Sequence, residues 1–149
     1  MSRPDEKLIE LGKSFDRQLA ITLPLQEEQQ RLHQIYERAL ADAGLPDSAS
    51  AFVSKEGRRL AKITGWRDAT DKANRAHNEL LVLMKKIYRE KPTTLAGLAV
   101  FVTAVTFDQF DFETDFLLPG FARRQGADVA EKQLIRLAKF ARAAAGGTQ

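Results

Sequence analysis

Apolar residues recur at helical spacing from the start of the chain: Leu8, Leu11, Phe15, Leu19, Leu25, Leu32, Tyr36 and Leu40. Pro24 stands in the middle of this run. A proline lacks the N–H that a helix interior uses and clashes with the preceding turn, so it stops or kinks a helix. The phase nevertheless continues across it. Positions 8, 15, 22, 29, 36 and 43 form one line, and positions 11, 18/19, 25, 32 and 39/40 form its partner. A loop has no reason to keep phase. The pattern therefore predicts one long helix over 5–43, kinked near Pro24, or two coaxial helices. At ~1.5 Å per residue it is roughly 58 Å long. Gly44 is placed to end it, with Pro46 following.

The signal weakens over 45–65, where Gly57 and Gly65 interrupt the helix-compatible stretch Phe52 to Ile63, and the state of 50–63 stays open. It is clean again at Trp66, Ala69, Ala73, Ala76, Leu80, Met84 and Ile87, with small residues in the first half of the seam and large ones in the second. This helix ends before Pro92, because the residue preceding a proline is pushed out of helical angles. Thr93 or Thr94 can cap the next one. Leu95 to Phe107 carries no charge. Its β-branched and aromatic residues have strand propensity, but the Leu95, Leu98, Val102, Val105 spacing is helical and no second strand is visible to pair with it. Phe107 to Phe121 mixes aromatics with acids, and Pro119-Gly120 marks a turn. Asp128 and Glu131 stand at capping-box spacing before Leu134, Leu137, Ala138 and Ala141, and Gly146-Gly147 closes that run. The expected fold is all-α: a single helical domain over 1–149. In it the long N-terminal helix forms an antiparallel hairpin with the 66–91 helix, capped by helices over 94–107 and 128–145.

The stretch Pro92-Thr93-Thr94-Leu95-Ala96-Gly97-Leu98-Ala99-Val100 resembles a motif, Pro-Ala/Thr-Thr-Thr-Leu-Ala-Gly-Leu, of small alphaproteobacterial (rhizobial-type) helical proteins. In that group too a long amphipathic helix precedes the motif and a short helix follows. Phe101-Val102-Thr103 is more apolar than the Lys- and Ala-containing continuation of the group. The resemblance implies an all-helical protein of unassigned function and supplies no catalytic residue.

Composition narrows the chemistry. The chain has 149 residues, about one domain. It has no cysteine, which excludes disulfides, thiolate metal sites and cysteine nucleophiles. Met1–Gly12 has no apolar core and does not read as a signal peptide, so a cytoplasmic location is expected. The uncharged run is shorter than the ~20 residues of a membrane span. The net charge is +3, but it is arranged in blocks. Residues 1–50 carry 6 basic and 9 acidic groups, 51–91 carry 11 and 5, 92–121 carry 0 and 4, and 122–149 carry 6 and 2. Blocks of opposite sign in a small domain attract each other across the fold.

His33 and His77 fall mid-helix. Di-iron bundles place a carboxylate three residues before each ligating histidine; here Gln30 and Asn74 occupy those positions, so both read as boundary residues. Asp108, Asp111, Glu113 and Asp115 have the oxygen ligands a hard cation wants, but phenylalanines interrupt them and EF-hand loop spacing is absent. They read as an acidic segment docked on a basic helix. No serine sits in a nucleophile-elbow context, and no glycine pair carries a P-loop lysine. Two basic stripes fall at helical spacing: Lys55, Arg58, Arg59 and Lys62, and Lys132, Arg136 and Lys139. Such stripes suit phosphate backbones, although no helix–turn–helix, stacking platform or zinc finger accompanies them.

The favoured reading is a non-enzymatic helical interaction or structural module, with no cofactor and no metal. It self-associates, most simply as a two-fold homodimer, through an apolar helix that is hydrophobic on every side. Leu98, Phe101, Val102 and Val105 are the interface candidates. The alternative is weak nucleic-acid binding through the basic stripes.

Overall fold

A computed structural model describes residues 3–45, 53–109 and 129–146, and its ordered elements there are all helices. They are α1 (Glu6–Asp42), α2 (Lys55–Ile63), α3 (Trp66–Tyr88), α4 (Leu95–Gln109) and α5 (Val129–Gly146). The expected all-α architecture is the observed one. No helix among the described residues is long and apolar enough to cross a membrane.

α1 passes through Pro24 as one helix, so the phase argument holds and the two-helix option falls away. The missing N–H leaves the Ala20 carbonyl without its intrahelical donor, and Ala20 and Pro24 are both exposed, so water can take its place. Just upstream, the buried Thr22 hydroxyl donates to the Gln18 carbonyl at 2.8 Å, a back-bond of the kind that bends helices. α1 ends in a Schellman motif. Gly44 takes φ +67°, its N–H reaches the Ala41 carbonyl, and the Leu45 N–H reaches that of Leu40. Residues 55–63, open on sequence grounds, are helical. The Ser54 side chain accepts the Gly57 N–H at 2.9 Å, and Gly65 at φ +81° turns the chain into α3.

The single-domain expectation meets a finer division: the chain groups into two compact units. The first comprises Met1–Arg17 with Leu81–Gln149, the second Gln18–Leu80. In the second unit α1 and α3 run antiparallel. The Gln18 amide donates to the Ala76 carbonyl, the Gln29 amide reaches Thr70, and the Tyr36 ring stacks on Trp66 at 4.5 Å. Buried Ala69, Ala73 and Ala76 keep this seam narrow, and Tyr36, Leu40 and Ala61 form its core with Leu45, Leu60 and Trp66 around them. In the first unit the buried residues are Leu8 and Phe15 of α1, Met84 and Ile87 of α3, much of α4, and Ile135, Ala138 and Ala141 of α5. Phe15 meets Phe107 edge to face at 5.4 Å.

Candidate functional site

The motif over 92–100 is where α4 is fastened. Pro92 holds the approaching chain out of helical angles, and Thr94 caps the helix by accepting the Gly97 N–H at 3.1 Å. Four donors of the two threonines just before this helix converge on one side chain from the other end of the sequence. The Asp5 carboxylate accepts the Thr93 N–H at 2.8 Å and the Thr94 N–H at 2.7 Å, and both threonine hydroxyls donate to it at 2.8 and 2.7 Å. A carboxylate at a helix N-terminus also faces the positive end of the helix dipole. These bonds, the Thr94 hydroxyl foremost, hold the Asp5 carboxyl down at about 2 despite its partial desolvation. Asp5 takes φ +59°, a left-handed conformation that aspartate tolerates better than most residues.

Two glycines make room for this docking. A Cβ on Gly97 would lie 2.1 Å from Asp5 Oδ2, and a Cβ on Gly12 would lie 2.5 Å from Val100 Cγ2. A side chain at Gly97 would have to displace the Asp5 carboxylate, and one at Gly12 the Val100 side chain. Sequence reasoning found the threonine cap and missed Asp5, because nothing local in the sequence joins residues so far apart.

So fastened, α4 buries Ala99, Val102, Thr103, Ala104, Thr106 and Phe107. Of the interface candidates, Val102 is buried within the chain, Phe101 and Val105 are half-buried, and Leu98 is 38% exposed. Leu95 is exposed as well. An uncharged outer stripe remains, Leu95–Leu98–Phe101–Val105. Beside it, Tyr88 packs on Phe101, and its hydroxyl donates to Asp108 Oδ2 at 3.1 Å. Burial, with the Asp108 carboxylate, pushes the Tyr88 phenol well above its usual range. On the α1 side of α4, Ile9, Gly12, Phe15, Ala99, Val100 and Ala145 line a groove of about 250 Å³. Arg142 stands at its edge, 3.7 Å from Asp16 and 3.5 Å from Thr103. On α5, Leu137 and Phe140 project outward, Phe140 at 68% exposure; spacing alone places Leu137 in the seam of this helix.

The other candidates separate. Lys55, Arg58, Arg59 and Lys62 lie together on the exposed side of α2, while Gly57 and Ala61 face inward. Lys139 is exposed on α5, but the side chains of Lys132 and Arg136 lie outside those described. His33 packs against Trp66, 3.7 Å from Glu37. His77 lies eleven residues further along α3 than Trp66, about 16 Å at ~1.5 Å per residue, where burial lowers its pKa. Among the described residues no three His, Asp or Glu side chains converge as a metal site. Asp108 is exposed and engaged by Tyr88; Asp111, Glu113 and Asp115 lie outside the described residues.

No family model matches the chain, and neither does any curated protein or solved structure. The site therefore has to be read from its own geometry.

Proposed function

We propose that this chain is a non-enzymatic helical interaction module of the cytoplasm that self-associates through the outer stripe of α4. The observation behind the reading is Leu98, 38% exposed beside exposed Leu95 on a helix with no charged residue from Leu95 to Phe107. A two-fold contact sets the same patch on both copies. An uncharged stripe accepts that arrangement without opposing like charges, and it removes leucine surface from water at roughly 25 cal/mol per Å². Half-buried Phe101, braced by Tyr88, extends the stripe toward Val105. Val102 belongs to the core of the chain and takes no part in the contact.

Light scattering after gel filtration tests this. The wild-type chain is expected to run as a dimer at micromolar concentration, and Leu98→Asp as a monomer with an unchanged far-UV spectrum. Because Leu98 already faces outward, the aspartate leaves the fold intact. A wild-type monomer that binds no hydrophobic dye overturns the reading.

A further inference from the structure

We infer that the outer face of α2 is a sequence-independent docking surface for the phosphate backbone of a nucleic-acid duplex. The orientation of α2 is fixed from inside: Ala61 joins the buried Tyr36–Leu40 cluster, Leu60 packs on it, and Gly57 is buried. Lys55, Arg58, Arg59 and Lys62 are thereby turned to solvent. The four are not equivalent. Arg59 is neutralised by a forked pair of bonds to Glu56 at 2.9 and 2.5 Å. Lys55, Arg58 and Lys62 have no ion-pair partner among the described residues. Being unpaired is not peculiar to α2, since exposed Arg38, Arg67, Arg75 and Lys85 hold no carboxylate among the described residues either; what sets α2 apart is that three such cations share one short helical stripe. Arg58 is also pre-positioned, since its Nη1 donates to the Val53 carbonyl at 3.1 Å and leaves the rest of the guanidinium outward.

Positions 55, 58 and 62 fall on one helical stripe. At ~1.5 Å per residue Lys55 and Lys62 are ~10 Å apart along the axis, about three steps of ~3.4 Å along a duplex strand. A rigid row of unpaired cations suits a rigid row of phosphates. A single strand would need exposed aromatic rings to stack on, and the stripe offers none. A lipid surface would need a continuous apolar face to insert. The apolar side of α2 is already committed to Tyr36 and Leu40, and exposed Val53 and Ile63 stand at opposite ends of the helix.

Salt dependence reads the number of phosphates engaged. Three contacts predict a slope of log K against log salt of about −2.7 per bound chain, hence about a forty-fold loss of affinity between 50 and 200 mM salt. The measurement is fluorescence anisotropy of a fluorescein-labelled DNA duplex titrated with the full chain. Lys55→Gln, Arg58→Gln and Lys62→Gln should each flatten the slope by about 0.9. Arg31→Gln, which removes an exposed arginine already paired with Glu28, should leave it unchanged. Leu98→Asp should leave it unchanged too, which makes the result independent of self-association. Three outcomes overturn the inference: no binding at 50 mM salt, a slope indifferent to all three α2 variants, or capture by phosphatidylserine vesicles with none by the duplex.

Discussion

Around Gly97 two helices meet through backbone and a carboxylate; around Tyr36 they meet through stacked rings. In the first unit, polar bonds span great lengths of chain: Asp5 to Thr93 and Thr94, Lys7 to Glu90, Arg142 to Asp16. In the second unit the ion pairs are local. Arg31–Glu28, Arg59–Glu56 and Lys72–Asp68 each join residues one turn apart, and such exposed, solvent-screened pairs contribute little. Its cross-helix hydrogen bonds, from Gln18 and Gln29, are long at 3.2 and 3.4 Å. Cohesion there falls to Tyr36, Leu40, Ala61 and the Trp66 stack. Their surfaces differ as well. The first unit exposes Leu95 and Leu98 on the uncharged α4 and Leu137 and Phe140 on α5, while the second exposes Ile21, Val53 and Ile63 and lines up unpaired cations on α2. The two surfaces proposed for this chain, the α4 stripe and the α2 cations, thus lie one in each unit.

The largest effect should come from filling the space at Gly97. Gly97→Ala drives the Asp5 carboxylate off the helix start, because the new methyl would sit 2.1 Å from Oδ2. Overpacking of this kind costs about 1–3 kcal/mol, measurable by denaturant unfolding. Asp5→Gly removes the obstacle together with the bonds, so the double variant should be no less stable than Asp5→Gly alone. Full additivity would show that the two residues do not share a contact.

The sequence was legible where the physics is local. Helical phase carried α1 across Pro24, Gly44 marked its end, and the cap of α4 was narrowed to Thr93 or Thr94, of which the structure uses Thr94. It was opaque where partners are far apart, and Asp5 gives no sign in the sequence that it caps a helix 89 residues away. The α4 face was half legible. A helical wheel places Leu98 and Val102 on the same side, but it collapses the axis, and along that axis the first turns of α4 are open while the later ones are enclosed. On α2 the stripe of charge was plain from spacing, but the partnership that removes Arg59 from it was not.

A smaller effect, of opposite sign, tests the second unit. The Tyr36 hydroxyl is buried without a hydrogen-bond partner among the described residues, and burial raises its pKa. A buried polar group without a partner opposes folding, and its deletion without a change of ring shape removes that penalty. Tyr36→Phe should raise stability by about 1 kcal/mol with the Trp66 stack retained. A loss of similar size would show that the hydroxyl is satisfied, and that this core is no less matched than the first.

The smallest effect is the pH dependence of the clasp. The Asp5 carboxyl sits at about 2 in the folded chain against an ordinary 3.8, with the Thr94 hydroxyl the main cause and the Thr93 and Thr94 N–H groups adding to it. A group whose folded pKa is depressed stabilises the fold fully above its unfolded pKa. It loses that contribution as pH falls through the folded value. The Asp5 share is therefore complete above about pH 4 and declines between pH 4 and 2. Glu10, Glu28 and Glu56 are also lowered, each by a basic neighbour, so the wild-type acid limb is a composite. Asp5→Asn isolates one part of it. The stability gap between wild type and Asp5→Asn should be constant from pH 7 to about 4 and narrow steadily below that, because protonation then makes the native side chain neutral as well. A gap that stays the same down to pH 2 would mean that the Asp5 charge contributes nothing, and that the docking of α4 rests on Gly97, Gly12 and the apolar contacts beneath them.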